Sequence, residues 1–403
     1  MRHLISDDEL WEEFAQRALI RVAAEGADFG EVLTTVEAVG SGGSHEWHEE
    51  WTATAERLAL VAGSCAARGR RVSARQAWLR ACTYLQVGCF PLFGPNGDPR
   101  VSASFARQTE TFESAAALLP FPVLSLEIPL GDARMQAYLC LPDDSGRPRP
   151  TVVYTNGYDS TVHEMYFAHV PAAIARGYNI LIFDGPGQGR MLVRDGITMR
   201  PDWEVVVSAV LNALLPRPEV DDERVVLGGW SFGGFLAPRA ACFEHRIAAL
   251  IADPGQWDQR SNLAMAMPAE KVAQFPDGVA RSDLADLEAQ LRTPSAPAGM
   301  RWRLLQRGFY VNGVNSLYDY LVDMTRYEIS PYAVEISCPT LLTAAEGDPI
   351  ARGAPALHAA IGPGRATLLR FTAAEGAGGH CEAFARSLYH QRVYDWLDET
   401  LSV

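Results

Sequence analysis

The sequence predicts a doubly wound, mostly parallel α/β sheet with a helical region before it and a helical insertion late in it. Three observations carry this. From about residue 122 onward, short apolar runs alternate with helical segments, as parallel strands covered on both faces do. One such run, Val225–Gly229, feeds into Gly229-Trp230-Ser231-Phe232-Gly233, the G-x-S-x-G of a strained strand-to-helix turn. Before residue 119 the apolar spacing is helical instead.

In that first part, Trp51, Ala55, Leu58, Ala62 and Cys65 recur at three- and four-residue steps, with Glu49, Glu50, Glu56 and Arg57 between them. Ser73–Val87 continues the helical period through Ala77, Leu79, Ala81 and Tyr84. Gly40–Gly43 breaks it, and Phe90–Arg100, rich in Pro and Gly, reads as a loop. The strand-like runs are Val123–Ile128, Met135–Leu141, Pro150–Thr155, Asn179–Phe183, Val225–Gly229, Ala248–Ala252, Thr340–Ala344 and Thr367–Phe371. The first two look like an antiparallel pair joined by Gly131-Asp132. Between Asp253 and Pro339 no strong strand occurs, and the aromatic-rich stretch reads as a helical insertion.

A chain of 403 residues has room for a catalytic domain and an accessory one. Its 48% hydrophobic and 21% charged content is that of a soluble globular protein. A net charge of −14 argues against nucleic acid and anionic membranes as partners. No uncharged apolar run reaches the length of a membrane helix, and the acidic start has no secretory h-region. Seven dispersed cysteines fit reduced thiols in a cytoplasm.

Ser231 needs a base, usually a histidine held by a carboxylate. In this fold class the chain order is serine, acid, histidine. His380 stands in a Gly-rich loop after the last strand, whereas His358 and His390 lie in helical patterns. The acid should leave the preceding strand, where Glu346-Gly347-Asp348-Pro349 offers two carboxylates. Asp348, past the glycine turn, is the better placed, and Glu346 reads as a structural cap or a pocket carboxylate. The oxyanion donors expected are the backbone amides of Tyr158, in the loop Asn156–Thr161, and of Phe232. Substrate contacts are expected at Gly157, Trp230, Trp257 and Tyr310. Asp184–Gly189 looks like a phosphate cradle but lacks the lysine, so it reads as a structural turn. Asp253 and Asp258 read as a helix cap more than as acid/base groups. No metal or cofactor site is expected: His45 and His48 sit on what reads as a solvated helix face.

These motifs together resemble the α/β-hydrolases similar to 2,6-dihydroxypseudooxynicotine hydrolase and to the fungal hydrolases that shorten polyketide chains. More broadly they resemble the prolyl-oligopeptidase-like esterases. The resemblance runs through Trp51–Leu58, Arg71–Ala81, Asn156–Ser160, Phe183–Gly189, Gly229–Gly233, Glu346–Asp348 and Gly379–Glu382. It implies an α/β-hydrolase core over 119–256 and 337–403, an N-terminal helical cap over 1–118 and a helical lid over about 257–336. It also implies cleavage of a C–C bond beside a carbonyl, or of an ester, by Ser231, His380 and Asp348. The rival activities are carboxylesterase, thioesterase and acyl-transferring cyclase. A non-catalytic small-molecule receptor on a hydrolase fold is the rival of another class. The expected partner is a small-molecule substrate, with a homodimer as the assembly left open.

Overall fold

Eight strands form one sheet: β1 (Val123–Leu130), β2 (Ala133–Cys140), β3 (Arg149–Thr155), β4 (Asn179–Phe183), β5 (Val220–Trp230), β6 (Ala249–Asp253), β7 (Thr340–Ala345) and β8 (Ala366–Phe371). Each expected run forms its strand, with ends displaced by a few residues. The computed structural model describes residues 4–260, 263 and 267–402. Its strand order is β1-β2-β4-β3-β5-β6-β7-β8. β2 runs antiparallel to β4, and β4, β3, β5, β6, β7 and β8 are mutually parallel. A two-residue connection, Gly131-Asp132, makes β1 and β2 a hairpin.

The inner strands form where they do because both their faces are covered. β4, β6 and β7 are buried along their whole lengths, and β3 along all but its first residue. Helices such as Val162–Ile174, Trp203–Leu214, Gly233–Ala241 and Arg386–Leu401 alternate with them. The strand order reverses at β3, which pairs with β4 on one side and β5 on the other. In open α/β sheets such a switch point opens a crevice at the carboxyl ends of the strands. The register aligns Thr155 with Gly229 and Trp230 with Asp253. The loops after β3, β5 and β6 therefore leave the sheet side by side.

The chain divides into two compact units. The first holds the residues up to Val123 with 166–168 and 281–320, and the second holds the sheet and the remainder. The first unit's helices are Glu9–Leu19, Phe29–Val39, Ser44–Ala67, Arg71–Val87 and Pro99–Ala116, joined by Arg281–Leu291 and the helical run 298–312. The segment 257–336, expected as one lid, is thus divided. Its middle belongs with the first unit because Trp302 is buried there, edge-on to Phe14 at 4.8 Å, and donates its indole N–H to the Phe90 carbonyl at 2.6 Å. Arg303 adds an ion pair with Glu13 at 2.6 Å. His48, expected on a solvated face, is instead buried, with Nδ1 3.2 Å from the Gly88 carbonyl oxygen. His45 does face solvent. Among the described residues no helix is long and apolar enough to cross a membrane.

Candidate active site

Ser231 follows β5 with φ +58°, in the left-handed region that a non-glycine residue rarely occupies. Tight packing around it explains the flanking glycines. A methyl group at Gly229 would run into the Gly233 carbonyl, one at Gly233 into the Thr155 carbonyl, and one at Gly234 into the Pro254 carbonyl. Strand and helix pass so closely that only glycine fits. Three hydrogen bonds hold the strained residue: Ser231 N–H donates to the Asp253 carbonyl at 2.6 Å, while its own carbonyl accepts from Gly234 N–H at 2.8 Å and from Gln256 Nε2 at 2.6 Å. Such strain persists only where the surroundings over-determine it.

Ser231 Oγ lies 2.8 Å from His380 Nε2, and His380 Nδ1 lies 2.9 Å from Asp348 Oδ2. The three residues named from the sequence thus form one hydrogen-bonded chain, across 149 and 32 positions of sequence. Asp348 is fully buried at its side chain, whereas His380 is 41% exposed. Burial works to raise the Asp348 pKa, but the bond and charge of His380 and the Ile350 and Cys381 amides prevail and hold it below the ordinary value. The carboxylate therefore stays charged next to the imidazole and fixes which ring nitrogen carries the proton.

Glu346 takes the structural alternative. Its carboxylate accepts the Ala373 amide at 2.8 Å and its carbonyl accepts the Gly379 amide at 2.8 Å, which pins the loop that carries His380. His358 and His390 lie in the helices Ala354–Ile361 and Arg386–Leu401, outside the chain of bonds.

Gly157 lies against Ser231: a Cβ on the glycine would sit 3.1 Å from Ser231 Cβ. The ring of its neighbour Tyr158 meets the Phe232 ring edge-on at 5.2 Å. Hence the two loops expected to offer oxyanion amides converge beside Ser231. Asp184–Gly189 is a structural turn, as its composition suggested, and the sequence did not reveal what it supports. Asp184 Oδ1 accepts from Asn156 Nδ2 at 2.9 Å and Val162 N–H at 2.7 Å, and Oδ2 accepts from Arg190 N–H at 3.0 Å. Gln188 Nε2 donates to the carbonyls of Asn156 at 2.9 Å and Gly157 at 3.1 Å. The Gly157 carbonyl belongs to the same peptide as the Tyr158 N–H, so Gln188 orients that amide and polarises it.

The expected substrate contacts are less alike. Trp230 is buried, edge-on to His169 at 5.8 Å, and Trp257 is half-buried with its backbone packed on Gly353. Tyr310 belongs to the first unit, where its ring packs on Phe93 at 5.6 Å. Asp253 is no helix cap: its carboxylate accepts from Thr343 Oγ1 at 3.0 Å and from Arg386 Nη1 at 2.8 Å. Asp258 forms an isolated bridge with Glu328. Among the described residues no group of three or more His, Cys, Asp or Glu could hold a metal ion. Open hollows of about 540 and 490 Å3 on the sheet unit include none of these residues, so hydrogen-bond geometry and not cavity size locates the site.

The family models for FrsA-like esterases and for the alpha/beta hydrolase family match residues 12–256 and 152–394. The chain is 32% identical to the 20-hydroxy-prefusarin hydrolase FUS2 of Gibberella moniliformis over 96% of this chain and 95% of that protein. It is 30% identical to the hydrolase LUC6 of a Fusarium species over 94% and 93%. The solved structure of 2,6-dihydroxy-pseudo-oxynicotine hydrolase shares the fold, with a TM-score of 0.75, 23% identity and 95% of each chain covered. On these grounds the chain is an enzyme of the alpha/beta hydrolase family, similar to its FrsA-like esterases.

Proposed function

We propose that this hydrolase cleaves a C–C bond beside a carbonyl in an aromatic or polyketide-like small molecule, through Ser231, His380 and Asp348. The observation that carries the reading is the 2.8 Å contact of Ser231 Oγ with His380 Nε2 at a strained strand-to-helix turn. The Ser231 hydroxyl adds to the substrate carbonyl while its proton passes to Nε2. The oxyanion so formed accepts hydrogen bonds from the Tyr158 and Phe232 amides, at the N-terminus of the helix Gly233–Ala241. Collapse breaks the C–C bond, and its electron pair leaves on the α-carbon, which takes the proton from Nε2. Water, deprotonated by His380, then releases the acid from Ser231. The leaving carbanion must be stabilised, which favours a β-diketone or a hydroxyaryl ketone as substrate.

A β-diketone substrate expels the enolate of a ketone, whose charge rests on the remaining carbonyl oxygen until the α-carbon is protonated. The likeness of the chain to hydrolases named for small molecules supports this substrate class. The match to esterases favours a second reading, in which the same residues cleave an ester and the leaving group is an alcohol.

The test is a panel of aryl 1,3-diketones, p-nitrophenyl esters and peptide amides, with isotope-labelled water to follow oxygen into the acid product. Higher kcat/KM on a diketone than on the esters supports C–C cleavage. Turnover of the esters alone supports the second reading, and faster turnover of the peptides refutes both. Fluorophosphonate that leaves Ser231 unmodified would favour a binding protein.

A further inference from the structure

Behind His380 lies a buried ionic cluster that the reaction does not use. Glu382 is wholly buried, and neither of its carboxyl oxygens meets a hydrogen-bond donor nitrogen or hydroxyl. Its closest cation, Arg386 Nη1, stands 4.0 Å away and is already engaged, donating to Asp253 Oδ2 at 2.8 Å and to the Cys381 carbonyl at 2.9 Å. Arg386 Nη1 is thus within 4.0 Å of the Glu382 carboxyl and 2.8 Å of that of Asp253. Two buried carboxyls therefore share one guanidinium. Leaving both ionised would bury an uncompensated negative charge, whereas one proton between them balances the cluster.

The placement of this cluster ties it to the site. The backbone carbonyl of Asp253 accepts the Ser231 amide, while its carboxylate holds Arg386 and, through it, the carbonyl of Cys381. Cys381 and Glu382 both take left-handed backbone, with φ +54° and +47°. Two successive non-glycine residues in that region are strained and need fixing from outside. One residue at the end of β6 thus anchors both the nucleophile and the loop of the base.

We propose that Glu382 is a positioning residue held as the neutral acid, donating its proton to Asp253, and that Asp253, Arg386 and Glu382 together clamp the strained loop so that His380 stays in register with Ser231. The inference rests on the reading of His380 as the base. Burial first, and then the Asp253 carboxylate, push the Glu382 pKa well above the ordinary range. The remaining neighbours, Cys381, Tyr154, Tyr389 and His169, are driven by burial toward their neutral forms. Arg386, stacked 3.8 Å from the Tyr389 ring, and Asp348 carry the other charges.

The test compares Glu382→Gln, Glu382→Met and Ser231→Ala by turnover of p-nitrophenyl butyrate and by the rate of Ser231 labelling with a fluorophosphonate. Glutamine keeps a neutral donor toward Asp253, so kcat and labelling stay within about threefold of wild type. Methionine fills the space without a donor, and loosening of the His380 loop lowers kcat and labelling about 100-fold with KM nearly unchanged. A Gln variant as slow as the Met variant would mean that the carboxylate itself is required and overturns the proposal. A Met variant as fast as wild type overturns it too. If the Met variant does not fold, the Gln variant decides alone. Full turnover by Ser231→Ala would instead remove the triad reading, and the clamp's role with it.

Discussion

The two units bury different chemistry. In the first, Trp11 stacks on Trp47 at 4.7 Å, Phe14 meets Trp302, and the Trp47 indole N–H reaches the Val87 carbonyl at 2.9 Å. Aromatic rings pack at its centre, beside scattered buried polar groups such as Glu12, Arg21 and Gln108. In the second, the carboxyl ends of the strands bury Asn156, Asp184, Gln188, Asp253, Asp348 and Glu382. Burying such groups costs stability unless each finds a partner, and here their partners cluster around Ser231 and His380. Aromatic packing thus centres the first unit, while a connected polar network sets the positions of Ser231, His380 and the Gly157 loop in the second.

Substitutions test how sharp that contrast is. Ser231→Ala and His380→Ala should each lower kcat by about 10^6-fold, because members of such a unit act together. Their thermal unfolding should stay near wild type, and a marked loss of stability would blur the contrast at its centre. Asp348→Asn should cost less, about 10^4-fold, since it disturbs orientation and tautomer but leaves the nucleophile in place. Steady-state kinetics on one purified substrate ranks the three.

The reverse outcome belongs to the first unit. Trp302→Ala should cost about 3–5 kcal/mol by denaturant unfolding. The fluorophosphonate labelling rate per folded molecule should not change, and a parallel fall in labelling would join what the comparison separates. Gln188→Ala should lower kcat by about tenfold with little change in KM, less than the loss of an oxyanion donor itself. An unchanged kcat would leave Gln188 with a purely structural part.

The smallest expected effect is on the acid limb of stability. Asp348 has a lowered folded pKa, so its contribution is present above the ordinary carboxylate pKa and fades as pH falls through the lower folded value. Melting temperatures taken from pH 5 down to 3 should fall less steeply in Asp348→Asn than in wild type. Identical slopes would mean that ionisation of Asp348, held by His380 and by the Ile350 and Cys381 amides, adds no net stability to the folded state.

The elements that were legible in the sequence are those with local signatures. Apolar runs marked all eight strands, most plainly the inner ones, because strands buried on both faces require such runs, while the edge strands β1 and β8 stay partly exposed. The spacing of Gly229, Ser231 and Gly233 marked the elbow because backbone crowding there excludes any side chain. The Asp-Pro turn and the Gly-Gly-His loop stood at strand ends in the expected chain order. Helical period in the first part was equally plain, though periodicity could not tell the buried His48 from the exposed His45.

Local sequence thus carried the sheet, the elbow and the three side chains that meet in the Ser231–His380–Asp348 chain of hydrogen bonds, all read from segments a few residues long. How the 257–336 stretch divides came only from the folded chain, since Trp302 finds Phe90 at a separation of 212 residues. The fold alone revealed Gln188 beneath the Gly157 loop, 31 positions away, and Arg386 on Asp253, 133 positions away. The motifs around Gln188 and Glu382 marked a turn and a loop, but no local pattern says which distant group such a side chain will meet. Its role comes from the partner that burial forces it to find.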